Sequence, residues 1–465
     1  MTVESCTIFP SKKYNRPAPP SKVAFHGLDL MGAPIQIRNH RFFHPPADAT
    51  TTTFDQVVEK LKVSLAEALE LYPPVAGTLE LDQDGQIYSA MGAEYNKGTL
   101  FLVEKKEMPY HGDTVDVGPR NDVILPRESS ILQVKVTQFS CGTIAVASSL
   151  NHQISDLRGF LDFLELWASI ARGEAVDYNS IPDDWSRTPG RFFQGLIKES
   201  APKAPAPFSV NSELVTGPSA YLLVPSVATR WKFTKSSLER LKKDLSTSLL
   251  QQNPNDWIST GDALAALVCG AITRARENAS VPRLEGRSGA EELHEQVAMA
   301  ADGRDRAPKG DMAGGHYFGN FNPLWNATIS RSDLLNATCA SASRVAVAIR
   351  TALTTELSPE AVAYKISFFQ DPQNMVPPGR ISWTADMILT NWCRFDLKGP
   401  KLNLGWGKPF HATSGSGGSF PPGYSLMTHD HESQETTVLM TVENDGVESL
   451  KADVLLNKYA TLIPE

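Results

Sequence analysis

The residue types and spacing that could do chemistry lie in one stretch, Ser148-Ser149-Leu150-Asn151-His152-Gln153-Ile154-Ser155-Asp156. Upstream of the histidine, Ile144, Val146 and Leu150 fall on one face and Ala145, Ala147 and Ser149 on the other, the period-2 pattern of a strand. Downstream, Leu157, Phe160, Leu161, Leu164, Trp167 and Ile170 recur at helical spacing. His152 therefore stands where a buried strand stops, and Asp156 where a helix begins. A strand end is a rigid platform, and an imidazole there can stay within hydrogen-bond reach of a proton it removes. By themselves the two residues read equally well as a core histidine and as a helix N-cap whose carboxylate accepts a backbone N–H. A second stretch, Asn403-Leu404-Gly405-Trp406-Gly407-Lys408-Pro409, bears on the choice.

The elements that position these residues belong to a chain of 465 residues, long enough for two or three domains. Apolar residues make up 41% and charged residues 21%, a globular rather than a disordered composition. A net charge of −8 and a pI near 5.8, with no clustered Lys/Arg, argue against nucleic acid as a partner. The polar, proline-containing residues 1–20 lack a signal-peptide core and no apolar run reaches membrane-spanning length, so a cytoplasmic protein that spans no membrane is expected. The five cysteines (Cys6, Cys141, Cys269, Cys339, Cys393) are widely spaced and odd in number, which suits reduced thiols and neither a disulfide framework nor a metal site.

In chain order, Leu28-Asp29-Leu30 through Phe42-Phe43 reads as one or two strands. Thr53 opens a helix with the stripe Val57, Val58, Leu61, Leu65 and Leu69, which Pro73-Pro74 stops. Strands follow at 75–81, 85–88, 100–103 and 131–139. Prolines at 189, 202, 205 and 207 break the pattern between about 182 and 220, which reads as a long linker. Beyond it come a strand at 230–233, helices from 234 and from 263, a solvated loop at 283–293, a strand at 297–301 ending in charge, helices at 331–354 and 358–370, and a strand at 388–392. After Thr436 the tail alternates and ends in a helix at 447–461. The fold class is α/β, or mixed α+β, in two halves that each carry a sheet, with a ligand cleft expected between them.

The pieces in their order resemble the BAHD family of acyl-CoA-dependent acyltransferases. His152-Gln-Ile-Ser-Asp156 matches the HxxxD motif, and Asn403-Leu-Gly-Trp-Gly407 matches DFGWG except at its first position. Leu71-Tyr-Pro-Pro-Val-Ala-Gly77, Ser259-Thr-Gly-Asp-Ala-Leu264, Asp302-Gly-Arg-Asp-Arg306, Tyr317-Phe-Gly-Asn320 and Thr390-Asn-Trp392 lie in family order between and around them. The resemblance covers nearly the whole chain. It implies two chloramphenicol-acetyltransferase-like domains with mixed sheets (residues 1–185 and 221–465), a crossover linker (186–220), and an active-site channel at their interface.

The implied reaction moves an acyl group from acyl-CoA, as co-substrate, to a hydroxyl or amine of a small-molecule acceptor, without a covalent acyl-enzyme, a metal or another cofactor. His152 is the expected base. Thr390 and Trp392 are expected to donate to the oxyanion, although each reads equally well as an ordinary strand threonine and buried aromatic. Asp156 is expected to pair with an arginine and to hold the loop. Gly405, Trp406 and Gly407 shape the channel at a distance from the chemistry. Ser259, Thr260, Arg274 and Lys408 are candidate contacts for CoA phosphates, with a solvated charge the equal alternative for the last two. Gln36, Ile37, Arg38 and the 370–390 segment could line the acceptor, and Arg38 or Arg380 could meet an anionic one. A monomer is expected.

Two departures stand out. Asn403 replaces the family aspartate, whose usual arginine partner would be Arg304 or Arg306; an amide hydrogen-bonds but carries no charge, so stability rather than chemistry should change. Leu157 replaces the glycine that follows HxxxD, with Gly159 nearby. Two rival readings remain: a condensation-type enzyme with a carrier-bound donor, which usually carries a second histidine where Asn151 stands, and a CoA or metabolite binder without turnover.

Overall fold

The computed structural model describes every residue except 1–2, 32–34, 48–51, 113–116, 120–128, 183–184, 212–223, 254, 278–292, 309–315, 376–380, 384, 415–419 and 465. Two large sheets organise the chain. The first runs, in spatial order, Val3–Ile8, Thr99–Lys106, Leu132–Phe139, Ile144–Asn151, Gln36–Phe43 and His411–Thr413. The second runs Leu324–Ser330, His294–Ala300, Met387–Asn391, Tyr424–Asp430, Glu435–Glu443, Ser226–Phe233 and Thr461–Ile463. Both are mixed: Thr99–Lys106 is parallel to Leu132–Phe139, and Met387–Asn391 is parallel to both its neighbours. The mixed α/β class and the two-half plan are as expected.

Helix Phe54–Leu71 starts at a capping box, with the Thr53 and Gln56 side chains each satisfying the other's backbone N–H. Its stripe packs with helix Leu157–Ala171 on one face of the first sheet, which places Leu61, Leu65, Phe160, Leu164 and Trp167 in one core with Val134, Val136, Val146 and Leu150. In the second half, helix Thr260–Glu277 is enclosed on almost every side by the second sheet and by helices Lys235–Gln252 and Cys339–Glu356. Its run of small residues (Ala263, Ala265, Ala266, Gly270, Ala271) permits that close approach.

Several elements differ from expectation. Gly27–Met31 is a short helix rather than a strand, because the buried Asp29 carboxylate closes the turn by accepting from the His26 backbone N–H. Pro73–Ala76 is also helical, since proline suits a first helical turn. The 331–354 helix is two, Arg331–Leu335 and Cys339–Glu356, and the tail is two short helices followed by strand Thr461–Ile463. The 283–293 loop lies almost wholly outside the described residues. The linker is not free: Phe193 and Ala201 are buried in the second core, and Phe208–Val210 pairs with Ile381–Trp383.

The segment carrying Asn403, Gly405, Trp406 and Gly407 falls in the C-terminal part of the chain, yet it crosses back. Leu397, Leu402 and Leu404 join the first core, and His411–Thr413 adds an edge strand beside Gln36–Phe43. In the opposite direction, Leu28 packs into the second core. The two halves are therefore laced together in both directions.

Candidate active site

His152 follows the last residue of strand Ile144–Asn151. Its backbone N–H donates to the Ile35 carbonyl at 2.8 Å, and its carbonyl accepts from Asn320 Nδ2 at 2.8 Å. The residue is partly exposed, but Nδ1 is buried without a hydrogen bond of good geometry among the described residues, which leaves Nε2 as the accessible nitrogen. Burial lowers the imidazole pKa from its ordinary 6.5; the residue's own carbonyl, the Asp156 charge and Asn320 pull upward and do not overcome it. The ring is thus neutral at pH 7, the state a general base requires.

Asp156 caps helix Leu157–Ala171 through the Gly159 N–H at 3.1 Å, as the N-cap reading expects. Its other oxygen takes Arg304 Nη1 at 2.7 Å and the Phe321 N–H at 2.9 Å. Arg304 also donates to Asp302 at 3.1 Å and to the carbonyls of Tyr317 and Gly319 at 3.0 and 3.1 Å. Burial pushes the Asp156 carboxyl up, but the Arg304 charge and these donors outweigh it and hold the pKa below the ordinary 3.8. Asp156 thus clamps the helix after the histidine to the second half. Leu157 occupies the first helical position in the first core, and the close approach falls to Gly159, where a Cβ would overlap Ser155 Oγ and meet the Phe318 ring at 3.2 Å.

A second clamp is not visible in the sequence. Asp29 is 0% exposed and accepts from the Asn320 N–H at 2.8 Å, Asn320 Nδ2 at 3.2 Å and Arg187 Nη1 at 2.9 Å. Arg187 continues to the Ile154 carbonyl at 2.8 Å. Asn320 closes the Tyr317-Phe-Gly-Asn320 motif, which was the one available signal; Asp29 and Arg187 gave none.

Thr390 lies near the end of strand Met387–Asn391 in the second sheet, and Trp392 follows the strand, its ring packed on the first core and its backbone N–H donating to the Met427 carbonyl at 2.8 Å. Trp392 therefore sits where the halves meet, whereas Thr390 lies within the second sheet, opposite Leu426. Asn403 does not meet Arg304 or Arg306. Its Oδ1 accepts from the Gly405 and Gly407 N–H groups at 2.8 and 3.0 Å, and its carbonyl accepts from Arg172 Nη1 at 2.6 Å. An amide oxygen serves this turn as a carboxylate oxygen would, so no ion pair with Arg304 is needed there. Gly405 has φ +104°, and a Cβ on it would overlap Lys60 Nζ and lie 3.2 Å from the Ala171 carbonyl oxygen.

The four candidate CoA contacts are not brought together. Ser259 caps helix Thr260–Glu277 reciprocally with Asp262, and Thr260 is its first residue. Arg274 lies about 21 Å away along the same helix, where the Asp453 carboxylate takes its Nε and Nη2 at 2.6 and 3.0 Å. That bidentate pair commits the guanidinium, so Arg274 is withdrawn as a phosphate contact. Lys408 is exposed and paired with Glu432. Gln36, Ile37 and Arg38 lie on the strand beside the histidine strand, whereas Arg380 falls outside the described residues. A surface cleft of about 570 Å³ opens elsewhere, between Lys60, Arg172 and Glu174, and holds none of these residues. Among the described residues no cluster of three or more His, Cys, Asp or Glu side chains forms a metal site.

The sequence profile of the Transferase family matches residues 1–455. The chain belongs to this family, the BAHD acyltransferases. It is similar to acyltransferase uat1 of Mycosarcoma maydis, 25% identical over 354 residues that cover 68% of this chain and 66% of that one, just under two thirds. It is also 25% identical over 365 residues, 76% of each chain, to the hydroxycinnamoyl-CoA:5-hydroxyanthranilate N-hydroxycinnamoyltransferase HHT4 of Avena sativa. Among solved structures, TRI101 of F. sporotrichioides complexed with coenzyme A and T-2 superposes with a TM-score of 0.73 at 16% identity, covering 95% of this BAHD chain and 100% of that one.

Proposed function

We propose that the protein transfers an acyl group from acyl-CoA to a hydroxyl or amine of a small-molecule acceptor, with His152 as general base. The observation that carries this reading is the state of His152: neutral at pH 7, fixed through its backbone by Ile35 and Asn320, and presenting one accessible ring nitrogen where the halves meet. Nε2 takes the acceptor proton as the acceptor oxygen or nitrogen attacks the thioester carbon. The tetrahedral intermediate then collapses, the C–S bond breaks, and the imidazolium returns its proton to the CoA thiolate. Base catalysis of this kind contributes about 10²–10⁴ in rate, and each oxyanion donor about 10²–10³. Trp392 and Thr390 are the proposed donors, and Asp156 acts through loop geometry.

Acyl-CoA is the only cofactor-like partner in this reading, with Ser259, Thr260 and Lys408 the remaining candidates near its phosphates. Among the described residues no helix is long and apolar enough to cross a membrane; a cytoplasmic monomer acting on a specialised metabolite is our proposal. The test is thiol release from a panel of acyl-CoAs mixed with pooled alcohols and amines, together with the intact mass of the protein. Thiol that appears only with an acceptor, and no acyl adduct on the chain, is the expected result. Release from carrier-bound thioesters alone would move the reading to a condensation-type enzyme.

A further inference from the structure

Among the described residues, one buried cation in the first half has no counter-charge. Arg41 is 0% exposed, and Nε, Nη1 and Nη2 all lack a hydrogen-bond partner among the described residues. Three other buried arginines, Arg187, Arg276 and Arg304, each face a carboxylate. Arg41 stands on strand Gln36–Phe43, on the face it shares with Ile37 and Phe43 of the first core. Two residues back on that face is Asn39, 0% exposed, with both amide atoms unpartnered. Directly across from Asn39 on the histidine strand is Ser148, also 0% exposed and with an unpartnered hydroxyl. Phe43 packs on Trp406 with ring centroids 5.1 Å apart, and the buried indole Nε1 has no partner either.

These groups hold far more donors than acceptors: a five-donor guanidinium, an indole N–H, an amide NH₂ and a hydroxyl against one amide and one hydroxyl oxygen. Burial pushes the guanidinium down to about 10, so it is still cationic at neutral pH. A lone charge in such an enclosure is strongly unfavourable, and one negative charge relieves it. The planar guanidinium fork matches a carboxylate bidentately.

We propose that Arg41, Asn39, Ser148 and Trp406 form an anion site that takes one carboxylate-type monoanion. That chemistry has two sources, a small anion from solvent or the carboxylate of a bound acceptor. The position permits the second. The strand lies between the histidine strand and His411–Thr413 of the second half, and Ser148 precedes His152 by four residues, about 13 Å of strand. A small-molecule acceptor spans that distance. The acceptor source rests on the acyl-transfer reading; the solvent source does not.

Thermal melts of wild type and Arg41→Met in rising sodium formate and sodium acetate test the site, because general salt effects act on both proteins and cancel in the comparison. A saturable upward shift in wild type, absent from Arg41→Met, is expected. Arg41→Met should also melt above wild type in anion-poor buffer. If Arg41→Met does not fold, calorimetric titration of formate into wild type and Asn39→Leu decides the same point, with at least tenfold weaker binding expected in the variant. The second arm compares hydroxy-acid acceptors with their methyl esters. A loss of kcat/KM of at least tenfold in Arg41→Met for the acid alone identifies the acceptor as the source, and equal losses identify the solvent anion. Identical anion responses in wild type and variant, with no preference for acid over ester, overturn the proposal. If no acyl transfer is found with any acceptor, the melts still decide whether the site binds anions.

Discussion

Replacing Asp156 with asparagine separates a clamp from a chemical group. The change keeps the shape and one acceptor oxygen, so the Gly159 or the Phe321 N–H can still be satisfied, but an NH₂ then faces the other donor and the charge opposite Arg304 is gone. Removing one partner of a buried ion pair costs about 3–5 kcal/mol. Arg304 retains Asp302 at 3.1 Å and two backbone carbonyls, so its charge is not abandoned and the lower end, about 3 kcal/mol, is expected. The folded-state pKa of Asp156 lies below its unfolded value near 3.8, so the pair's contribution is fully present above 3.8 and is lost as pH falls through the lower folded value. Denaturant unfolding of wild type and Asp156→Asn should therefore differ by the same amount at pH 7 and pH 5, and the gap should close only below about pH 4. Turnover by Asp156→Asn should follow its native fraction. A destabilisation under about 1 kcal/mol, or a thousandfold loss of turnover at wild-type stability, would refute the clamp.

Other outcomes follow from the same geometry. Asn403→Asp keeps the oxygen that the two glycine N–H groups use and should change stability by no more than about 1 kcal/mol, whereas Asn403→Ala should cost about 1–3 kcal/mol, both read from denaturant midpoints. Asn320→Ala frees the His152 carbonyl and strips the Nδ2 donor from Asp29 while the backbone N–H stays; kcat should fall with KM little changed, and an unchanged kcat would contradict a positioning role. Because the His152 pKa is depressed, kcat/KM should rise with pH along a limb whose midpoint lies below 6.5 and stay level above it; a midpoint above 6.5 would contradict the burial argument.

Much of the architecture was legible because it is local. The strand before His152, the helix after Asp156 and the capped helix at Thr53 each announce themselves by periodicity and a polar start. What was not legible depends on contacts between distant residues. The apolar pattern of Leu397, Leu402 and Leu404 says that they are buried, not that they are buried in the first core. Arg304 as the partner of Asp156, and Asp453 as the partner of Arg274, are choices among chemically equal candidates far apart in sequence. Asp29 was hidden by a helix too short to show a period. The Asn403 departure loses no ion pair with Arg304 or Arg306, because the partners of its side-chain oxygen are the backbone N–H donors of its own turn.

That His152 removes the acceptor proton is tested by kcat/KM for thiol release by wild type and by His152→Ala, with the best acyl-CoA and acceptor pair, at equal stability. A loss of at least about a hundredfold is predicted. Equal rates in a folded His152→Ala protein would contradict it and return His152 to the role of a buried core histidine.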